Sequence, residues 1–139
     1  FMNELKQYAA SIGVEFEPRF GITDEELLGL YQTAAVAVYA PRLEPCGLVP
    51  LEANACGLPV VAVAEGGVRE IVKDGLNGFL VEQDKQAVAE AVSRLLNNPA
   101  LAREMGVGAR AWVEEHWSLK QSVQRLESRL EEVRISPCA

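Results

Sequence analysis

The chain has one histidine, His116, and three cysteines, Cys46, Cys56 and Cys138, with no Cys-x-x-Cys pair among them. That set offers no credible zinc site. A lone histidine in what reads as a helical tail leaves no Ser-His-Asp arrangement, and no nucleophile is assigned. An odd number of cysteines points to a reducing, cytosolic setting. No apolar run approaches the ~18 residues of a membrane span. An excess of positive charge is also missing: 13 Lys and Arg face 20 Asp and Glu, for a net charge of −7. This argues against binding a nucleic-acid backbone. It does not exclude one nucleotide, because a local helix terminus can overrule the global charge. No signal peptide is visible, and Met2 following Phe1 suggests a fragment.

What is present suits one compact α/β domain. Half of the 139 residues are hydrophobic, enough for a core. Met2, Leu5, Ala9 and Ile12 share one face of a first helix, and residues 13–18 read as a short strand or sheet edge. Thr23 and Glu26 form a capping box that opens a helix through about Thr33. Ala35 to Ala40 is a continuous apolar run, as in a parallel strand buried on both faces. A helix over 47–56 follows, stopped by Gly57 and Pro59, and then a buried strand over 60–63. Gly66 and Gly67 turn into a helix over 68–73, and 78–81 reads as a strand. Asp84 caps a helix expected to turn Ala87, Val88, Ala91, Val92, Leu95 and Leu96 inward. Asn98-Pro99 opens another. Strands alternating with helices imply a parallel sheet. Ligands of such sheets sit at the carboxyl ends of the strands. Glu44 follows the 35–40 strand and Gly66-Gly67 follows the 60–63 strand, so both fall on that edge.

The stretch Glu44-Pro-Cys-Gly-Leu-Val-Pro-Leu-Glu52 puts seven residues between two carboxylates, one before a Gly turn and one inside the helix that follows. Helix N-termini present unpaired amides and suit phosphate. Ionised Glu only accepts hydrogen bonds, so it suits hydroxyls. A helix starting near Gly47 places Glu52 roughly 7–8 Å along it, a reasonable offset from a phosphate to a ribose. The segment could thus hold a diphosphate and sugar hydroxyls together, as a nucleotide-sugar requires. From spacing alone, an ordinary turn with two solvated glutamates is an equal reading.

The sequence continues Glu52-Ala-Asn-Ala-Cys-Gly-Leu-Pro-Val-Val-Ala, then Gly66-Gly-Val-Arg-Glu70, then Asp74-Gly-Leu-Asn-Gly78. With these residues, the chain from about 3 to 120 closely resembles the retaining glycosyltransferases of family four. The resemblance implies the C-terminal, donor-binding half of a GT-B fold: a Rossmann-like parallel sheet flanked by helices, truncated at its N-terminal end, over residues 1–139. It implies transfer of a sugar from a nucleotide diphosphate with retained anomeric configuration, without metal or cofactor. A binding module on the same fold, holding a nucleotide or sugar phosphate without transfer, is the alternative. A hydrolase or epimerase is a more distant third.

The resemblance also implies roles. Glu44 is the residue assigned to catalysis, contacting hydroxyls of the donor sugar. The backbone amides of Cys46 and Gly47 would face that sugar, and those of Leu48 and Val49 would bind the diphosphate. Glu52 would accept from the ribose hydroxyls. Phe20, Gly21 and Ile22 lie in a loop near the base. Gly66 and Gly67 allow close backbone approach, and Glu70 reads as a helix-start carboxylate. The departures from the family pattern are Arg42 for Ser, Cys46 for an aromatic and Asn54 for Met. Cys46, beside the helix terminus, is read as a small filler residue.

Family members have two Rossmann-like domains. The acceptor-binding domain is expected to be missing here, with the first strands of the donor domain and the basic pair they carry. The acceptor, a sugar, lipid or small molecule, would belong to that missing domain, and this piece alone would be inactive. The sheet is then expected to be rearranged, completed by an oligomer or left with an exposed hydrophobic edge. Ser118 and Gln121 suggest a capping box. In the helix over 118–134, Leu119, Val123, Leu126, Leu130 and Val133 form a narrow seam. It would pack on its own sheet or, the reading preferred, dock on another domain or chain. The full-length protein is expected to be cytoplasmic, with a membrane-peripheral position open to it.

Overall fold

The computed structural model describes residues 1–42 and 45–135. Seven helices and three strands are described: α1 Met2–Ser11, α2 Asp24–Thr33, β1 Ala37–Tyr39, α3 Leu48–Ala55, β2 Val60–Val63, α4 Val68–Ile71, β3 Gly78–Val81, α5 Lys85–Leu96, α6 Pro99–His116 and α7 Leu119–Ile135. The strands form one parallel sheet in the order β1-β2-β3. Ala37 lies opposite Val60, and Val60 opposite Gly78.

All four residues of β2 are buried. Their side chains alternate between two cores, as the period of a strand requires. Val60 and Ala62 join Ala53 of α3 and Val68 and Ile71 of α4. Val61 joins Phe79, Ala91 and Leu95 of α5 and Met105 of α6. Helices therefore cover both faces of the central strand, which explains why its sequence is an unbroken apolar run.

The helix starts follow the local chemistry of the sequence. Thr23 and Glu26 form both bonds of the capping box, at 3.2 and 2.8 Å. Asp84 accepts from the amides of Gln86 and Ala87, and Asn98 from that of Leu101 ahead of Pro99. The end of α3 is a Schellman turn: the Leu58 amide returns to the Ala53 carbonyl and the Gly57 amide to that of Asn54.

Several expectations need correction. Residues 13–18 form no strand, because no described strand lies beside them to offer a ladder. β1 is shorter than 35–40 and is not sealed on both faces: Val38 is 50% exposed, since no described element packs over it. α4 stops at Ile71, where Val72 turns extended. Leu96 points outward from the end of α5 and is 52% exposed. At the start of α7 only the Gln121 amide to Ser118 Oγ bond forms, at 3.4 Å. The outer edge of β1 pairs with no strand among the described residues. The α7 seam is not packed on the sheet either; Leu119, Leu126, Leu130 and Val133 are all exposed. Among the described residues, no helix is long and apolar enough to cross a membrane.

Two buried asparagines tie α3 to the segment before β3. Asn54 Nδ2 donates to the carbonyls of Leu58 and Asn77, at 3.1 and 3.0 Å. Asn77 Nδ2 donates to the Ile71 carbonyl, and Asn77 Oδ1 accepts from the Lys73 amide. Replacing Asn77 by Ala strands a buried carbonyl and an amide. The expected loss is about 2–4 kcal/mol of folding stability, to be read from the midpoint of urea unfolding. An unchanged midpoint would mean that the two asparagines add nothing to stability.

Candidate functional site

A parallel sheet sends the carboxyl ends of its strands to one edge, and here that edge gathers both glycine-containing signature segments. The loop after β1 ends at Gly47, and the loop after β2 carries Gly66 and Gly67. The two loops are in close contact. A Cβ on Gly67 would overlap the Pro45 carbonyl oxygen and stand 3.0 Å from Cys46 Cα. Gly67 itself has φ −68°, an ordinary value, so the requirement there is for space and not for a special backbone. Gly47 is the reverse case. It has φ 80°, in the left-handed region, which lets the chain turn sharply into α3. A side chain on it would also press on Val68.

α3 therefore starts at the carboxyl edge. Among the described residues no side chain caps it, and the first amides of a helix have no partner within the helix. Pro50 falls in this first turn, where its missing N–H breaks no helical bond. Leu48 and Val49 project apolar side chains that are 59% and 40% exposed. The arrangement presents amides and the positive end of a helix dipole to whatever occupies the edge.

One turn further along, Glu52 is exposed, and its Oε2 accepts a hydrogen bond from the Tyr31 hydroxyl of α2 at 3.1 Å. The two residues line an open cleft of about 390 Å³ between α2 and α3, with Asp24, Leu27, Leu28, Ala55 and Cys56. Burial, the hydrogen bond to Glu52 and the charges of Glu52 and Cys56 push the Tyr31 hydroxyl up to about 12. Another cavity, of about 290 Å³, opens at the opposite edge beside Ala34, Ala35, Pro59 and Leu96. Its lining includes none of Gly47, Gly66 and Gly67 and no residue of the first turn of α3, so the carboxyl edge is the better candidate site.

The residues singled out from the sequence fall as follows. Glu44 lies outside the described residues. Cys46 is exposed and Gly47 buried. Leu48, Val49 and Glu52 share one helix in the order expected. Phe20 is 75% exposed, Gly21 has φ 59° and Ile22 is half-buried. They do not line the Glu52 cleft; Asp24, two residues on, does. Gly66 has φ 49°, and Glu70 is an exposed carboxylate in the first turn of α4. His116 closes α6, stacks on Trp112 and has its Nδ1 3.1 Å from the Trp112 carbonyl oxygen. Among the described residues, no three His, Cys, Asp or Glu side chains are grouped to hold a metal ion. The sequence reading missed Tyr31. Leu27 and Tyr31, four apart on one face of α2, were the available signal, because a part-buried tyrosine needs a partner for its hydroxyl.

Residues 3–112 match the family described as glycosyl transferases group 1. The chain belongs to this family. It is 37% identical over 136 residues to the GDP-mannose-dependent alpha-(1-6)-phosphatidylinositol monomannoside mannosyltransferase of Mycolicibacterium smegmatis, covering 91% of this chain and 36% of that protein. Among solved structures it is similar to Anabaena HepE in complex with UDP, with a TM-score of 0.79 and 26% identity, covering 95% of this chain and 37% of that one. It is also similar to the C-terminal domain of LpcC, a glycosyl transferase group 1 family protein from Francisella tularensis, with a TM-score of 0.77 and 27% identity. That match covers 86% of this chain and 63% of that one. The fold is thus that of the C-terminal half of a GT-B glycosyltransferase. The chain spans about a third of the length of the curated relatives it matches.

Two outcomes follow from this geometry. Gly67→Ala is expected to force the two loops apart, lowering stability by about 1–3 kcal/mol, to be measured by thermal unfolding. No change would mean that the loops give way freely. The folded state should also hold the Tyr31 proton above the ordinary value of 10.0. Stability from this group is then full below pH 10 and is lost as pH rises towards about 12. Ultraviolet titration of the phenol in the native protein, with Tyr31→Phe as reference, checks this; ionisation of Tyr31 near its ordinary value would contradict it.

Proposed function

We propose that this chain is the donor-binding half of a retaining glycosyltransferase, and that the intact protein transfers a sugar from a nucleotide diphosphate to an acceptor. The observation that carries the reading is the start of α3. It opens at Gly47 on the carboxyl edge of the sheet and carries Glu52 one turn in, within a chain of the glycosyl transferases group 1 family. The relatives lend support: HepE was solved with UDP and with UDP-glucose, and the mycobacterial protein is named for GDP-mannose.

In this reading the amides of Leu48 and Val49 receive the diphosphate. Their partial positive charge stabilises the negative charge that grows on the leaving group as the sugar departs. That stabilisation is stronger in the transition state than in the ground state, as catalysis requires. Glu52, one turn along, accepts from the ribose hydroxyls. Glu44 and the amides of Cys46 and Gly47 hold the sugar. Phe20, Gly21 and Ile22 border the base. Gly66 and Gly67 serve by letting the second loop close against the first. The acceptor, whether sugar, lipid or small molecule, is held by the rest of the intact protein, so this stretch alone binds donor without transferring it. No metal or cofactor takes part.

Binding of UDP-, GDP- and ADP-sugars to the intact protein, followed by ligand-observed NMR, tests the reading. One nucleotide series is expected to bind, with Glu52→Ala weakening it about 10- to 100-fold, the range for hydrogen bonds to a charged group. Equal binding by wild type and variant would sink the ribose role; no binding to any series would sink the donor site. Transfer should also persist after exhaustive chelation, and its loss, with recovery on adding a divalent cation, would overturn the metal-free mechanism.

A further inference from the structure

We propose that Tyr31 is a positioning residue for nucleotide recognition: it holds the Glu52 carboxylate in the orientation that receives the ribose. The proposal rests on the donor-site reading above. The Tyr31 hydroxyl donates to Glu52 Oε2 at 3.1 Å, across twenty-one residues of sequence and between two different helices. Glu52 is exposed. An exposed glutamate has several rotamers of similar energy, and ordering it on ligand binding costs entropy. Tyr31 removes much of that cost beforehand, because its own ring is fixed. The ring packs against the core cluster of Ala53, Leu58, Val60 and Ala62. A ring held by the core therefore fixes a carboxylate at the surface.

The bond also divides the work of the carboxylate. A carboxylate offers about four acceptor sites on two oxygens. Oε2 is engaged by Tyr31, and among the described residues nothing donates to Oε1. Oε1 is thus left for the vicinal hydroxyls of a ribose. The cleft beside the pair is open and begins at Asp24, the first residue of α2. The loop of Phe20, Gly21 and Ile22 leads directly into that helix, so base and ribose contacts would share one short stretch of surface. Tyr31 thereby couples α2, which follows the loop near the base, to α3, which carries the phosphate amides.

The test compares two ligands on four forms of the intact protein: wild type, Tyr31→Phe, Glu52→Ala and the double variant. The ligands are the nucleoside diphosphate that wild type binds among UDP, GDP and ADP, and its 2′,3′-dideoxy analogue, which keeps base and diphosphate. Phe keeps the packed ring and loses only the hydroxyl. Tyr31→Phe is expected to weaken the ribonucleotide about three- to tenfold, the net worth of about one typical hydrogen bond, and to leave the analogue unchanged. The double variant should bind no more weakly than Glu52→Ala. Equal weakening of both ligands would make Tyr31 merely structural and overturn the proposal. Tighter ribonucleotide binding by Tyr31→Phe would show that the tyrosine competes with the ribose, and would overturn it too. If Glu52→Ala loses ribose-dependent affinity while Tyr31→Phe does not, only the positioning role falls. If Glu52→Ala has no effect, the ribose reading falls and takes this proposal with it.

Discussion

β2 is the element on which the rest of the domain depends. Its four residues are buried, so every backbone N–H and C=O there must find a partner inside the protein. β1 and β3 supply those partners in parallel register. Parallel pairing requires crossover connections; here they are α3 and α4, both on one face, while α5, which follows β3, covers the other. It also brings the loops after β1 and β2 to one edge. The site is a consequence of how a buried strand satisfies its backbone.

At that edge two physical demands meet. The chain must turn abruptly into α3, which takes a positive φ at Gly47. The second loop must then lie flat against the first, which leaves no room for a side chain at Gly67. The far end of α3 is held just as firmly, by its Schellman turn and by the buried Asn54 bridge to Asn77. A helix gripped at both ends presents its first amides from a fixed position. Electrostatic stabilisation of a leaving diphosphate depends on such preorganisation. The Tyr31 bond extends it to a side chain.

Much of this was legible in the residues themselves, and where it was not, the reason is specific. The capping residues Thr23, Asp84 and Asn98 behave as their side-chain chemistry dictates, because a cap is decided within four residues. The strand over 60–63 was readable because burial on both faces writes itself as an apolar run. Residues 13–18 and Val38 misled because a strand exists only with a partner, and exposure depends on what packs above. Leu96 fits the helical period but falls past the end of the surface that α5 covers. Asn54 stood out as a departure from the family pattern. Its purpose needs Asn77, twenty-three residues away, to be visible.

By itself the sequence determined the class of the domain, the order of its elements and the membership of Leu48, Val49 and Glu52 in one helix after a glycine turn. These are local matters of periodicity, capping and backbone freedom, and they survive without knowledge of any neighbour. Only the tertiary structure decided that Gly67 is small to make room for the Pro45–Cys46 backbone, that β1 pairs with β2 alone among the described strands, and that Glu52 is held by Tyr31. Each of these is a contact between segments distant along the chain. No spacing within one segment encodes such a contact, because it exists only once the sheet has set the helices side by side.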